Sequence, residues 1–524
     1  MGDLGPSSKK RRVEDISTAT ASANEILAVI DAETSGTGDI LDNAAARRLF
    51  NQVDKKYDKN REFRIKYSDE PEKFLNTEIE LNDAIQELHA VTAQPELFPG
   101  LVKHKLVELL TQLLAHENAD IVAVTCSLLQ ELTDTNPMYE NEEGSEALVN
   151  ALLEGHIFQH MAQALNRFNE EDRDEADAVN NLLTTVENIL EENIPAYEVV
   201  VTDDLFDWLL TRATKRSKFD SNKLFASQLL SESLQNSELA REKLVGKVNG
   251  LDLLLRALAT YKKHDPESKE ETEHMENLFD GLCACLMHVP NRKVFLDGEG
   301  PQLMYLMLRE KKQSRHGALK TMSHATAIPD GKDNCEKFIE IYGLRVLFPM
   351  FMRTPQKTKK KDTAPDEHEE HVISILDALL YQCEDESTNR VLHKFTEHEF
   401  EKVDRLVELF LRYKEKVERY DQILKRGMGA ELDEEQLQIE LLNNGLYTWQ
   451  RIGIVLAEVC TKASADCMVR ANKLFKMRLK NTVEAVLNPY LTQWLADFEE
   501  SPDQKKRIEH LISSIQFQQV NLAP

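Results

Sequence analysis

Apolar residues recur along most of this chain at three- and four-residue intervals, the spacing that places them on one face of a helix. Leu49, Val53 and Tyr57 open the pattern just after Ala44. The stretch "SDEPEKFLNTEIELNDAIQELHAV" then reads as a turn followed by helices, with Pro71 near a helix start. In the middle of the chain the pattern comes in pairs. Five segments set a Gly or equivalent break before a short apolar helix: "FPGLVKHKLVELLTQLL", "LLEGHIFQHMAQAL", "KVNGLDLLLRAL", "GEGPQLMYLML" and "IYGLRVLFPMFM". A sixth, "TDDLFDWLLTRA", offers Asp203 or Asp204 as the cap. Each is followed by a longer apolar helix, from "IVAVTCSLLQEL" to "EEHVISILDALLYQC". Leu128, Leu183, Leu230, Leu282, Leu319 and Leu376 align these second helices at steps of 55, 47, 52, 37 and 57 residues. The interval centres near the ~40–47 residues of armadillo or HEAT repeats, with insertions. No stretch alternates convincingly as a strand would.

The pattern therefore predicts an all-α chain, an armadillo/HEAT-type α-solenoid in which each unit covers its neighbour's apolar stripe. Residues 1–43, rich in Ala, Ser, Thr and Gly, are expected to form a disordered tail. A helical cap is expected over 44–98, armadillo-type repeats over 99–385, and a separate helical region over 386–524. Two polar insertions, 261–273 and 353–367, interrupt the repeats. In the C-terminal region Val403, Leu406, Phe410, Tyr413, Val417, Tyr420 and Leu424 follow alternating steps of three and four, a heptad seam. Two readings stand for that seam: packing within the chain, or a homodimer interface.

Charge narrows the choice of partner. The 524 residues carry 91 Asp and Glu against 64 Lys and Arg, a net charge of −27. Nucleic-acid binding needs clustered cations on one face, so no direct nucleic acid is expected, and basic partners suit the field better. No apolar run approaches the roughly 20 residues that span a bilayer, so no membrane association is expected. The basic residues near the N-terminus precede no apolar core of a secretory signal. Seven scattered cysteines, mostly in apolar helical runs, fit reduced thiols rather than a disulfide framework.

Little in the chain points to chemistry. In "DEHEEHV", His368 and His371 are three apart, whereas a zincin motif needs four with Glu after the first His. The stretch reads as an acidic helix start capped by Asp366. Cys283 and Cys285, two apart on a helix, point to opposite sides and read as core thiols. "DGEG" at 297–300 lacks the strand and remaining glycine of a dinucleotide loop; Gly300-Pro301 reads as a helix entry. No nucleophile elbow, Walker loop or kinase signature is present. No enzyme activity, cofactor or metal is expected. The acids of the second helices are the stronger candidates. Glu131, Glu187, Asp280 and Asp377 fall at similar places in their units, either as a ladder for an extended Lys/Arg-rich peptide or as a solvated face.

Several long blocks carry a resemblance: "PEKFLNTEIELNDAIQELHAV", "ANKLFASQLL", "MENLFDGLCACLM", "GEGPQLMYLMLREKK", "DNCEKFIEIYGLRVLFPMFM" and "HEEHVISILDALL". From about Ala44 to Cys383, and more weakly beyond, the chain resembles the β-catenin-like family of spliceosome-associated armadillo proteins. The resemblance implies a nuclear, non-enzymatic scaffold tied to the spliceosomal NineTeen complex. Its implied partners are splicing proteins, among them a Myb-like factor with basic, import-signal-like segments. In that setting Lys9, Lys10, Arg11 and Arg12 read as a nuclear import signal for an import receptor, and the run Lys357–Lys361 offers a second. The alternative is an importin-like adaptor for nuclear localisation signals. Such grooves carry regular Trp and Asn ladders, and Trp208, Trp449 and Trp494 do not repeat.

Overall fold

The computed structural model describes residues 41–134, 141–246, 249–355, 365–427, 434–497 and 502–521. Among them there is helix and turn and no strand. Two compact units divide between Glu192 and Asn193.

The first unit is built on a row of longer helices, α1 (Asn43–Lys66), α2 (Leu75–Leu88), α3 (Ala119–Leu132) and α4 (Arg173–Glu192), each packed on the next. The second unit repeats the plan. Here α5 (Ser221–Asn236), α6 (Lys269–Cys285), α7 (Arg315–Ala325) and α8 (Pro365–Gln382) lie side by side in order. They are followed by α9 (Glu401–Gly427), α10 (Tyr447–Lys462), α11 (Ala465–Leu479), α12 (Val483–Asp497) and α13 (Pro502–Asn521). The starts are fixed by side-chain caps. Asp42 accepts from the Ala45 amide at 2.6 Å, Asn118 from Asp120 at 2.8 Å, Asp220 from Lys223 at 2.9 Å and Ser268 from Glu271 at 3.1 Å. Each such cap contributes about 1 kcal/mol. The six aligned leucines are all buried, at up to about 1.5–3 kcal/mol apiece.

The joints between the shorter helices show a device the periodicity does not reveal. Lys105, His156, Asp204, Asn249 and Glu299 each adopt the left-handed conformation, with φ of 72°, 52°, 63°, 50° and 59°, immediately before a helix. Tyr342 does the same at 66°, one residue before Gly343. The steps between them are 51, 48, 45, 50 and 43 residues, tighter than the leucine alignment. At Lys105, His156, Asp204 and Glu299 one helix ends two residues before and the next begins directly after. At Gly343 the corner closes with an amide-to-carbonyl bond to Phe338 of 2.8 Å, and a Cβ there would meet the Phe338 ring at 2.6 Å. The expected glycine break is thus a left-handed residue beside a glycine or, at Lys105 and Asp204, without one.

The helices expected beyond 386 pack on the repeats before them. α8 packs on α10, and α10 on α13, so the row of the repeats runs on through the C-terminal helices inside one unit.

Candidate partner-binding surface

The four candidate acids meet different fates. Glu131, near the end of α3, is half-exposed and lies 2.7 Å from His89 Nδ1. Glu187 is half-buried on α4. Asp280, on α6, is half-exposed and pairs with Lys320 of α7 at 2.7 Å. Asp377 is a correction. Only 1% of it is exposed, and its two oxygens are taken by Arg451 Nη1 at 3.1 Å and Arg507 Nη2 at 2.8 Å. An incoming peptide does not reach it.

The physical reason lies in the register. Glu131 follows its buried leucine by three residues and Glu187 by four, whereas Asp280 precedes its leucine by two and Asp377 follows by one. At 100° per residue these offsets do not share a helix face.

Asp377 belongs instead to a buried ionic cluster. Arg507, from α13, also donates through Nε to Glu458 of α10 at 2.9 Å, and Lys462 pairs with the other Glu458 oxygen at 2.5 Å. Burial works against the charge of Arg507, but the Asp377 and Glu458 carboxylates outweigh it and raise its pKa. A second cluster gathers on Glu369 of α8, itself 4% exposed. Arg405 and Arg412 of α9 and the hydroxyls of Thr354 and Tyr413 all reach its carboxylate. Burial first, and then the Glu369 charge, push the Tyr413 hydroxyl far above its ordinary pKa. These clusters tie α9, α10 and α13 to α8. Sequence reasoning missed both. For the first the signal was an acid set among apolar residues in "ISILDALLYQC", a position that calls for a buried cation partner; Glu369, in the polar run "DEHEEHV", gave none.

The heptad seam is filled from within the chain. Val403, Leu406, Phe410, Tyr413, Val417 and Leu424 are buried, and Tyr420 is half-buried with its hydroxyl on Glu440 at 2.9 Å. The Phe410 ring stands 5.7 Å from Trp449 and 5.8 Å from both Phe475 and Tyr490. Those apolar side chains are therefore not available as a dimer seam in this fold. Trp494 is buried, and the half-buried Trp449 stands 4.3 Å from the Tyr490 ring.

His368 is buried with Nε2 3.3 Å from the Met350 carbonyl, and burial lowers its pKa to about 4. His371 and His316 instead flank Glu367, at 3.7 and 3.3 Å. Cys283 and Cys285 are buried, and burial pushes both thiols up to about 12. Among the described residues, Glu238, Glu242 and His288 bring potential metal ligands within 4.8 Å of one another, with both carboxylates exposed. No described helix is long and apolar enough to cross a membrane. Lys9, Lys10, Arg11, Arg12 and Lys357–Lys361 lie outside the described residues.

Comparison with known proteins adds to this geometry. The model of a family described as "Catenin-beta-like, Arm-motif containing nuclear" matches residues 24–488. Beta-catenin-like protein 1 of Homo sapiens is 43% identical over 448 residues, covering 84% of this chain and 79% of that protein. The Rattus norvegicus protein of the same name gives the same figures. The Schizosaccharomyces pombe homolog is 29% identical over 422 residues, covering 79% of this chain and 72% of that one. A chain from a solved structure on a phosphorylation switch between cadherin and beta-catenin covers 85% of this chain and 78% of its own, with a TM-score of 0.50. At 12% identity that last likeness concerns the fold alone.

Proposed function

Since this chain belongs to the nuclear, Arm-motif-containing catenin-beta-like family, we propose that it is a non-enzymatic scaffold of the spliceosome. In this reading it joins the NineTeen complex and holds basic segments of splicing partners, a Myb-like factor among them. The observation that carries the reading is the stacked helix row, with half-exposed carboxylates at Glu131 in one unit and Asp280 in the other. The Asp280–Lys320 pair is half-exposed, so a partner's lysine or arginine can compete with Lys320 for the carboxylate. The net charge of −27 draws such a segment in. The chain enters the nucleus through Lys9, Lys10, Arg11 and Arg12, bound by an import receptor.

The test is purification of the tagged full chain from nuclear extract, with the bound proteins quantified against the bait. Near-stoichiometric NineTeen-complex proteins support the scaffold. Import receptors and mixed cargo without splicing proteins would overturn it in favour of a transport adaptor.

A further inference from the structure

In a chain of net charge −27, α1 is strongly basic: eight Lys and Arg against three Asp and Glu. Its apolar side, with Ala46, Phe50 and Val53, is buried. Arg48, Lys55, Lys59 and Lys66 are exposed and follow at steps of seven, four and seven. At 100° per residue those steps keep all four within about 40° of one line, on the side opposite the buried residues. The line runs ~27 Å along the helix. Lys59 is paired with Glu80 at 2.8 Å. Among the described residues no ion pair or hydrogen bond holds the side chains of Arg47, Arg48 or Lys55. Where α1 turns into α2, three large apolar side chains are exposed: Ile65 at 75%, Leu75 at 53% and Ile79 at 53%. The first unit thus presents a cationic line that ends among exposed apolar residues.

We propose that this surface is a docking site for residues 25–33 of the chain's own N-terminal segment. Two complementarities support that occupant over others. Residues 13–42 contain Glu14, Asp15, Glu25, Asp31, Glu33, Asp39 and Asp42 and no Lys or Arg. Within them "EILAVIDAE" sets Ile26, Leu27, Val29 and Ile30 between Glu25 and Asp31 and Glu33. Acids and an apolar cluster adjoin in the segment as cations and an apolar cluster adjoin on α1 and α2.

The connection also fits. The segment enters α1 at its cap, Asp42. Glu33 lies nine positions before Asp42, a reach of up to ~30 Å. Lys55 lies ~20 Å along α1, and the apolar end ~35 Å along. Asp31 and Glu33 therefore reach Arg48 and Lys55 while Ile26–Ile30 reach the turn at Ile65 and Leu75. A short tether supplies an effective concentration in the millimolar range, so weak pairs suffice. Docking leaves Lys9–Arg12 upstream and free, and it covers the basic line against other polyanions.

Hydrogen exchange on the full chain, followed by mass spectrometry, tests this. In the wild type, amides of 25–33 exchange roughly tenfold slower than in the free peptide of the same sequence. Arg48→Glu with Lys55→Glu abolishes that protection, and adding Asp31→Lys with Glu33→Lys restores it. Both stripe residues are exposed and unpaired, so the fold tolerates their reversal. Free-peptide exchange in the wild type would overturn the proposal. So would protection that ignores the stripe reversal, or protection that rises with protein concentration, which would mark docking between molecules.

Discussion

A residue such as Lys105 carries more of this architecture than its type suggests. It holds φ of 72° with an L side chain, a conformation that costs roughly 1–2 kcal/mol. The cost is accepted because one left-handed residue closes one helix and starts the next. Lys105 is exposed, so Lys105→Gly relieves the strain without loss of packing. The expected outcome is a gain of about 0.5–1 kcal/mol in the urea midpoint analysis, with Lys105→Val moving the other way. These corners were not legible beforehand, because Lys, His, Asp, Asn, Glu and Tyr share no side-chain property. What unites them is backbone geometry. At the same scale, His274 and His368 predict acid sensitivity. Both are buried; burial lowers the His274 pKa to about 3, with the nearby Lys223 and Arg212 adding to it, and that of His368 to about 4. The unfolded chain takes up these protons near pH 6.5, the folded chain only near 3 to 4. The stability of the neutral forms is full above pH 6.5 and declines as pH falls toward those lower values. Each histidine contributes a loss of about 1.4 kcal/mol per pH unit in that window. Melting temperature measured from pH 7 to pH 4 should fall steadily, and substitution by Gln at either site should flatten the slope.

At the scale of the element, the periodicity read most helices correctly, since a 3.6-residue apolar repeat and a helix face are one fact seen twice. The seam was visible for the same reason: Val403 to Leu424 mark the buried side of α9. What lay across that side was not visible, because Trp449, Phe475 and Tyr490 come from three other helices. Asp377 failed as a ladder member because a charge adjoining an aligned leucine is buried, and its partners lie 74 and 130 residues away. Those partners make a prediction about α13. Arg507→Ala leaves Asp377 with Arg451 alone and Glu458 with Lys462 alone. Removing one member of a buried pair costs about 3–5 kcal/mol. Arg507→Ala should lower the denaturation midpoint accordingly, and the added change Glu458→Gln should recover part of the loss. Equal midpoints for wild type and Arg507→Ala would mean that α13 is not held through this cluster.

For the whole molecule, the solenoid class was readable because stacked repeats need the same stripe again and again. The division of the chain was not. The contacts divide it at Glu192–Asn193, and the change of pattern near 386 lies inside the second unit. Change of pattern marks a change of helix length there, as α9 runs from Glu401 to Gly427, and not a change of body. The two units carry their candidate acids separately, so recognition of a basic segment is testable in each. In the proposed function, half-exposed carboxylates on the stacked helices bind basic partner segments. The most direct measurement is titration of a Lys/Arg-rich peptide of the proposed partner class against wild type, Glu131→Gln, Asp280→Asn and the double variant, at low and physiological salt. Charges across an exposed surface are screened beyond about 8 Å at physiological ionic strength. The account predicts that each single variant weakens binding at its own unit two- to fivefold, about 0.4–1 kcal/mol, that the double variant weakens both, and that binding is weaker at the higher salt throughout. Identical affinity for all four proteins at both salt concentrations would contradict it.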